Sequence, residues 1–230
     1  MSQTVLITGA NRGIGLEFVR QYLADGNRVI ACCRQPEQAE ALLALAEAHP
    51  STLDLVALDL GQPEQLTGLK AFLGGQSLDL LISNAGVYGP KGVPFGQIDA
   101  DAFAPVMAVN VLAPLLLVQT LADHLSSGAK VALLSSKMGS ITDNGSGGSY
   151  LYRASKSALN AIGKSLSVDL AGQGVSVALL HPGWVQTEMG GPNALITTQT
   201  SVMGMRRVLE HLDLCGSGRF FNYDGTEIPW

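Results

Sequence analysis

The sequence predicts an α/β fold: one domain, 1–230, built on a doubly wound parallel sheet of about seven strands with helices on both faces. Three observations carry that expectation. Short apolar runs alternate along the chain with amphipathic or alanine-rich segments of helical length. Glycine, proline, asparagine and aspartate fall between them, where the chain must turn. The first apolar run leads straight into a glycine-rich turn, VLITGANRGIG, which opens the first helix.

Each element follows from local pattern. Val5-Leu6-Ile7 suits a strand buried on both faces. Gly9, Gly13 and Gly15 make the turn, and Leu16, Val19 and Leu23 recur at helical spacing after it. Asp25-Gly26-Asn27 is a stop signal, and Arg28 to Cys33 reads as the second strand. Residues 38–49 form a helix ended before Pro50, and Leu53 to Leu60 a third strand with Asp59 at its end. A short helix over 64–72 is broken by Gly74-Gly75; the fourth strand, Leu78 to Ser83, runs into Asn84-Ala85-Gly86. Residues 102–125 form a long apolar helix with Pro105 near its start and a kink at Pro114. Lys130 to Ser135 is the fifth strand, and a polar, glycine-rich loop over 139–149 enters a helix from Tyr152 to Ala171. Val175 to Leu180 is the sixth strand, followed by His181-Pro182-Gly183. Residues 184–200 lack periodicity and read as a substrate loop or lid; a helix over 202–212 and a short strand over 219–223 complete the chain. Ligands in such sheets bind beyond the strand C-termini, and nearly every interesting polar residue here follows a strand.

Composition narrows the function. Of 230 residues 47% are hydrophobic and 14% charged, which suits a compact enzyme and argues against disorder. A net charge of −5 argues against nucleic acid as a partner. No run approaches the length of a membrane span and the N-terminus has no basic leader, so a cytoplasmic protein without a membrane partner is expected. Cys32, Cys33 and Cys215 lack metal-ligand spacing and read as core or near-core thiols in a reducing compartment; no metal site is expected.

The glycine turn is built for phosphate. Missing side chains let the backbone approach it, and the free N–H groups at the helix N-terminus face its charge. Tyr152 and Lys156, four apart on one helix, share a face and can act on one atom. The alternative is a tyrosine packed under a lysine stem. An acid–base tyrosine working near neutrality needs its anion favoured by about 3 pH units, or ~4 kcal/mol, and a nearby ammonium contributes to that. Tyr150 is a weaker candidate, with Ala154 rather than lysine four residues on. Ser135 and Ser136 end the fifth strand; one of them would polarise a carbonyl, or both serve the turn.

Taken in order, Thr8-Gly9-x-x-x-Gly13-x-Gly15, Ser83-Asn84-Ala85-Gly86, Asn110, Ser135-Ser136, Tyr152-x-x-x-Lys156 and Pro182-Gly183 resemble the short-chain dehydrogenase/reductase family over almost the whole chain. Residues 151–160 and 221–225 look like its carbonyl-reductase branch of the sniffer and C-factor type. The resemblance implies a single Rossmann-fold domain that reduces a small-molecule carbonyl to an alcohol. Tyr152 would be the general acid, and Lys156 would lower its pKa and hold the nicotinamide ribose. Ser136 would orient the carbonyl, and Asn110 would complete a proton relay. Cofactor contacts would come from Gly9, Asn11, Arg12, Gly13, Ile14 and Gly15 in the turn, from Asp59 and Leu60 near the adenine, and from Asn84, Ala85 and Gly86 along the floor. Pro182, Gly183, Val185 and Thr187 would bind the carboxamide. Ser83 departs from the family's usual asparagine. Relatives are dimers or tetramers joined through two long helices, here about 102–125 and 152–171, so a homodimer or homotetramer is open.

Charge bears on the cofactor. Where enzymes that prefer NAD place a carboxylate at the end of the second strand, this chain has Cys33 and then Arg34, with Arg12 in the turn. Two guanidiniums suit a 2′-phosphate, so NADP(H) is expected in preference to NAD(H). The substrate pocket would use Val87, Tyr88, residues 138–141 and residues 184–196. An alternative in another class is a nucleotide-binding signalling or sensor protein on the same scaffold, with incidental turnover.

Overall fold

The computed structural model describes residues 2–230. The strands are β1 (Thr4–Thr8), β2 (Arg28–Cys33), β3 (Leu53–Ala57), β4 (Leu78–Ser83), β5 (Leu125–Leu134), β6 (Ser176–His181) and β7 (Arg219–Asn222). They form one parallel sheet in the order β3-β2-β1-β4-β5-β6-β7. The helices are α1 (Gly13–Ala24), α2 (Glu40–Ala48), α3 (Gln65–Leu73), α4 (Phe103–Met107), α5 (Ala113–Leu121), α6 (Tyr150–Asp169) and α7 (Thr198–His211). Chain order reverses across β1, which pairs β2 on one side and β4 on the other, and that crevice is where an open α/β sheet takes a nucleotide.

Strand residues alternate between two cores. Val5 and Ile7 pack with Phe18 and Val19 of α1 and Met205 and Leu209 of α7, whereas Leu6 packs on the other face with Leu69 of α3, Leu117 and Leu121 of α5 and Leu159 of α6. Leu117 and Leu121 are fully buried, each contributing roughly 1.5–3 kcal/mol. Helix α6 lies close on the sheet because of Gly163, where a Cβ would come within 2.9 Å of the Leu179 side chain. That close approach holds the N-terminal half of α6 over the C-terminal end of β5.

Several boundaries move. Strand β3 ends at Ala57, so Asp59 and Leu60 belong to the following loop. Strand β5 starts earlier, pairing Leu125 with Leu78 before a register shift to Lys130 opposite Leu80. Residues 198–200 belong to α7 rather than to a loop, because the Thr197 hydroxyl accepts from the Thr200 N–H at 3.1 Å and caps the helix. The irregularity expected at Pro114 lies one turn upstream: Ala108–Leu112 form a π turn in which the Ala113 N–H reaches back to the Ala108 carbonyl. Pro114 has no N–H to give the Asn110 carbonyl, so the α ladder cannot continue there.

Two expectations are corrected. The helical stretch Phe103–His124, 22 residues with hydropathy 1.8, is long and apolar enough by length and composition to cross a bilayer. In the fold Val106, Asn110, Val111, Leu117, Val118 and Leu121 are buried along it, as in a core helix. Cys32 and Cys33 are core thiols, but Cys215 is exposed. Beyond β7 the chain turns back, and the Ile228 N–H donates to the Phe220 carbonyl at 2.7 Å, covering part of the sheet's outer edge.

Candidate active site

The β1–α1 turn is a bare backbone cradle. Gly9 and Gly13 have φ of 64° and 55°, and a Cβ at Gly15 would lie 2.2 Å from the Gly9 carbonyl oxygen. No side chain caps the first N–H groups of α1. An anionic ligand satisfies such groups, so the turn fits a dinucleotide pyrophosphate. Asn84 braces the turn from β4: its amide donates to the Thr8 and Gly9 carbonyls at 2.9 and 3.1 Å, and the Thr8 hydroxyl accepts from the Asn84 N–H. Its side chain therefore shapes the cradle, while Ala85 and Gly86 follow as floor. Asp59 accepts from the Gly61 N–H at 2.9 Å, an Asx turn that holds the loop carrying Leu60.

Ser136, Tyr152 and the segment from Pro182 to Gly190 converge on one cavity of about 640 Å³ beyond the ends of β5 and β6. Ser135 and Ser136 both border this cavity but differ in their hydrogen bonds. Ser135 donates to the Asn160 carboxamide oxygen at 2.6 Å, a buried structural bond, whereas Ser136 accepts from the Met138 N–H at 3.2 Å and faces the Tyr152 hydroxyl. Burial pushes the Tyr152 phenol up to about 12, opposed by the Ser136 hydroxyl and reinforced by Tyr88. Lys156, wholly buried, donates to the Leu134 carbonyl at 2.8 Å, and desolvation pulls its ammonium down to about 8. Its Nζ lies 5.8 Å from the Tyr152 ring centroid. Burial dominates at Tyr152, so the phenol is a neutral acid rather than a poised anion.

Asn110 is fully buried and its side chain is spent on structure. It donates to the Val87 carbonyl at 2.8 Å and the Ser155 hydroxyl at 3.0 Å, and accepts from the Val87 N–H. Both N–H groups of its carboxamide are committed to those bonds.

The loop after β6 is well tied. Gly183 has φ of 85°, Val185 bridges Ile196, and the Gly190 N–H donates to the Thr187 hydroxyl at 3.1 Å. Ile14, Pro182, Gly183, Val185 and Thr187 all line the cavity. Arg12 forms an ion pair with Glu188 of this loop, both side chains being largely exposed. Arg34 is exposed at the end of β2, and no carboxylate among the described residues pairs with it. Asn11 is exposed at the tip of the turn.

Sequence reasoning placed Tyr88 at the pocket, where it lines the cavity, but missed other lining side chains. Tyr88 stacks on Tyr152 with ring centroids 4.5 Å apart, and its hydroxyl bonds the Ser149 hydroxyl at 2.9 Å. Lys91, Lys137, Asp143, Arg153 and His181 also line it. Arg153, Lys137 and His181 carried a positional signal, next to Tyr152, Ser136 and Pro182; Lys91 and Asp143 come from loops whose course no periodicity reports.

A doubly wound sheet with a phosphate cradle and a Ser-Tyr-Lys cluster at its C-terminal edge defines a nucleotide-dependent oxidoreductase by class. Residues 3–195 match the family described as short chain dehydrogenase. The chain is 46% identical over 155 residues to C-signal of Myxococcus xanthus, covering 66% of this chain and 93% of that protein. Its fold superposes on the carbonyl reductase Sniffer of D. melanogaster with a TM-score of 0.94 and 34% identity over the whole of both chains. The NADPH-bound carbonyl reductase from chicken fatty liver gives 0.92 and 36% identity, covering 100% of this chain and 99% of that one. The chain belongs to the short-chain dehydrogenase/reductase family of oxidoreductases.

Proposed function

We propose that this protein is an NADPH-dependent carbonyl reductase that converts an aldehyde, ketone or quinone to the alcohol. The observation that carries the reading is that Ser136 and Tyr152 face one cavity with the Lys156 ammonium buried behind them. When bound, NADPH supplies the hydride. Gly9, Asn11, Arg12, Gly13, Ile14 and Gly15 would hold its phosphates, and Pro182, Gly183, Val185 and Thr187 its nicotinamide end. Asp59, Leu60, Asn84, Ala85 and Gly86 complete the floor, directly or by bracing the turn.

Ser136 orients the carbonyl oxygen by donating its hydroxyl proton into a hydrogen bond. Tyr152, neutral at pH 7 with its pKa near 12, gives its Oη proton to the oxygen as negative charge grows there. Lys156, still protonated at pH 7, stabilises the phenolate left behind. Asn110 anchors the Val87 loop to α6 and would complete the proton relay beside Lys156. Arg34 at the end of β2, where an NAD-selective site would carry an acid, supports NADPH over NADH, as does the NADPH in the chicken enzyme.

The test is NADPH consumption by wild type and Tyr152→Phe over a panel of aldehydes, ketones and quinones. The variant should still bind NADPH and lose turnover by at least ~10²-fold; wild-type rates in Tyr152→Phe would refute the mechanism. Similarity to C-signal supports a second reading, a signalling protein on this scaffold. That reading requires Tyr152→Phe to keep its output in cells.

A further inference from the structure

The substrate end of the cavity carries positive charge that no protein acid balances. Four charged side chains line it: Lys91, Lys137, Arg153 and Asp143. Lys137 and Asp143 pair at 3.3 Å and cancel. Arg153 spends its donors on neutral acceptors, the Met138 and Gly147 carbonyls at 3.2 Å each and the Ser146 hydroxyl at 2.8 Å. A guanidinium has five N–H groups, so two remain for a ligand. Lys91 donates to the Met189 carbonyl at 3.1 Å and lies 5.6 Å from the Tyr88 ring centroid. Neither Arg153 nor Lys91 has a carboxylate within ion-pair distance among the described residues. His181, the remaining titratable group near this end, is held neutral by burial and by Lys137.

Geometry places these charges where a substrate's far end would lie. Tyr88 stacks on Tyr152 and lies under the Lys91 ammonium, so Lys91 stands one ring away from the phenol that meets the carbonyl. Arg153 follows Tyr152 on the first turn of α6 and borders the same opening. Between them Met138, Trp184 and Met189 provide apolar walls. A low-dielectric cleft lined by one sign of charge attracts the opposite sign.

Resting on the reductase reading, we propose that the substrate is a carbonyl compound bearing a carboxylate or an equivalent anionic group, which Arg153 and Lys91 bind while the carbonyl reaches Ser136 and Tyr152. This specifies a substrate class that the reductase chemistry alone leaves open.

The experiment compares 4-carboxybenzaldehyde with its neutral methyl ester, methyl 4-formylbenzoate. The wild type should prefer the acid in kcat/KM by roughly ten-fold at low ionic strength, mainly through KM, and the preference should shrink as salt is raised. Lys91→Gln and Arg153→Lys should each cut the acid-to-ester ratio; Lys91→Gln is the cleaner, because Arg153 also tethers the 138–147 loop. Binding of the two product alcohols, followed by tryptophan fluorescence in the presence of NADP, reads the same preference without turnover. Preferential binding of the acid by a protein that reduces neither aldehyde would sink the reductase reading and leave the anion site standing. Turnover or binding that favours the ester equally or more, or an acid preference untouched in both variants, would overturn the anion site.

Discussion

The paired serines at the end of β5 allow a sharp test, because the structure divides structure from chemistry between neighbours. Ser135 is 3% exposed and donates to Asn160, itself 3% exposed, at 2.6 Å. Ser135→Ala leaves that buried carboxamide oxygen without its donor, a cost of about 1–3 kcal/mol. For a chain of this size, that is a fall in Tm of roughly 3–10 °C. Ser136 gives up only the bond accepted from the Met138 N–H at 3.2 Å, so Ser136→Ala should cost about 0.5–1 kcal/mol of stability. Its effect belongs in catalysis: losing a donor aimed at the carbonyl oxygen should lower kcat/KM by roughly 10²–10³. Thermal unfolding and NADPH-coupled turnover on both variants give the four numbers needed. If Ser135→Ala abolishes turnover without loss of stability while Ser136→Ala remains active, the roles have been assigned to the wrong serines.

Other outcomes follow from the same geometry. Glu188→Gln frees Arg12 from its ion pair; both groups are largely exposed, so NADPH should bind only about 2–5-fold more tightly, with NADH unaffected. Equal changes for both cofactors would disconnect Arg12 from the 2′-phosphate. Arg34→Asp should shift the kcat/KM ratio toward NADH, and an unchanged ratio would remove Arg34 from cofactor selection. His181, pulled down to about 4 by burial and Lys137, stays neutral in the folded protein while the unfolded chain protonates below pH 6.5. Stability from this group is therefore complete above pH 6.5 and is lost as pH falls toward 4, by up to about 3 kcal/mol. His181→Gln should flatten that limb in denaturant titrations; an unaltered acid limb would locate the loss in the carboxylates instead.

The fold was legible because its signals are local. Buried parallel strands are continuous apolar runs, and Val5-Leu6-Ile7, Leu78 to Ser83 and Val175 to Leu180 all fall on strands or within a residue of one. The phosphate turn is legible from its glycine spacing, although what requires those glycines is partly distant: a Cβ at Gly15 would strike the Gly9 carbonyl, one at Gly9 would strike Ala85, and one at Gly13 would crowd Thr187. The Tyr152–Lys156 pair needed only helical periodicity. Boundaries failed where distant bonds decide them: β5 begins at Leu125 because Leu78 pairs with it across the sheet. The π turn at 108–112 needs a proline, which the sequence displays, but its exact place depends on how Asn110 is held by Val87 and Ser155.

By itself, then, the sequence determined the order of elements, the cradle and the identity of the residues brought to the sheet's C-terminal edge. Tertiary structure alone decided what those residues do there. It tied Ser135 to Asn160 and left Ser136 without such a bond, committed the Asn110 side chain to the Val87 loop and to Ser155 of α6, and paired Arg12 with Glu188. It also stacked Tyr88 on Tyr152 and set Lys91 and Arg153 at the opening. The physical reason is range. Propensity, periodicity and turn chemistry act over a few residues, whereas burial, charge pairing and pKa are set by neighbours that lie far along the chain and meet only when it is folded.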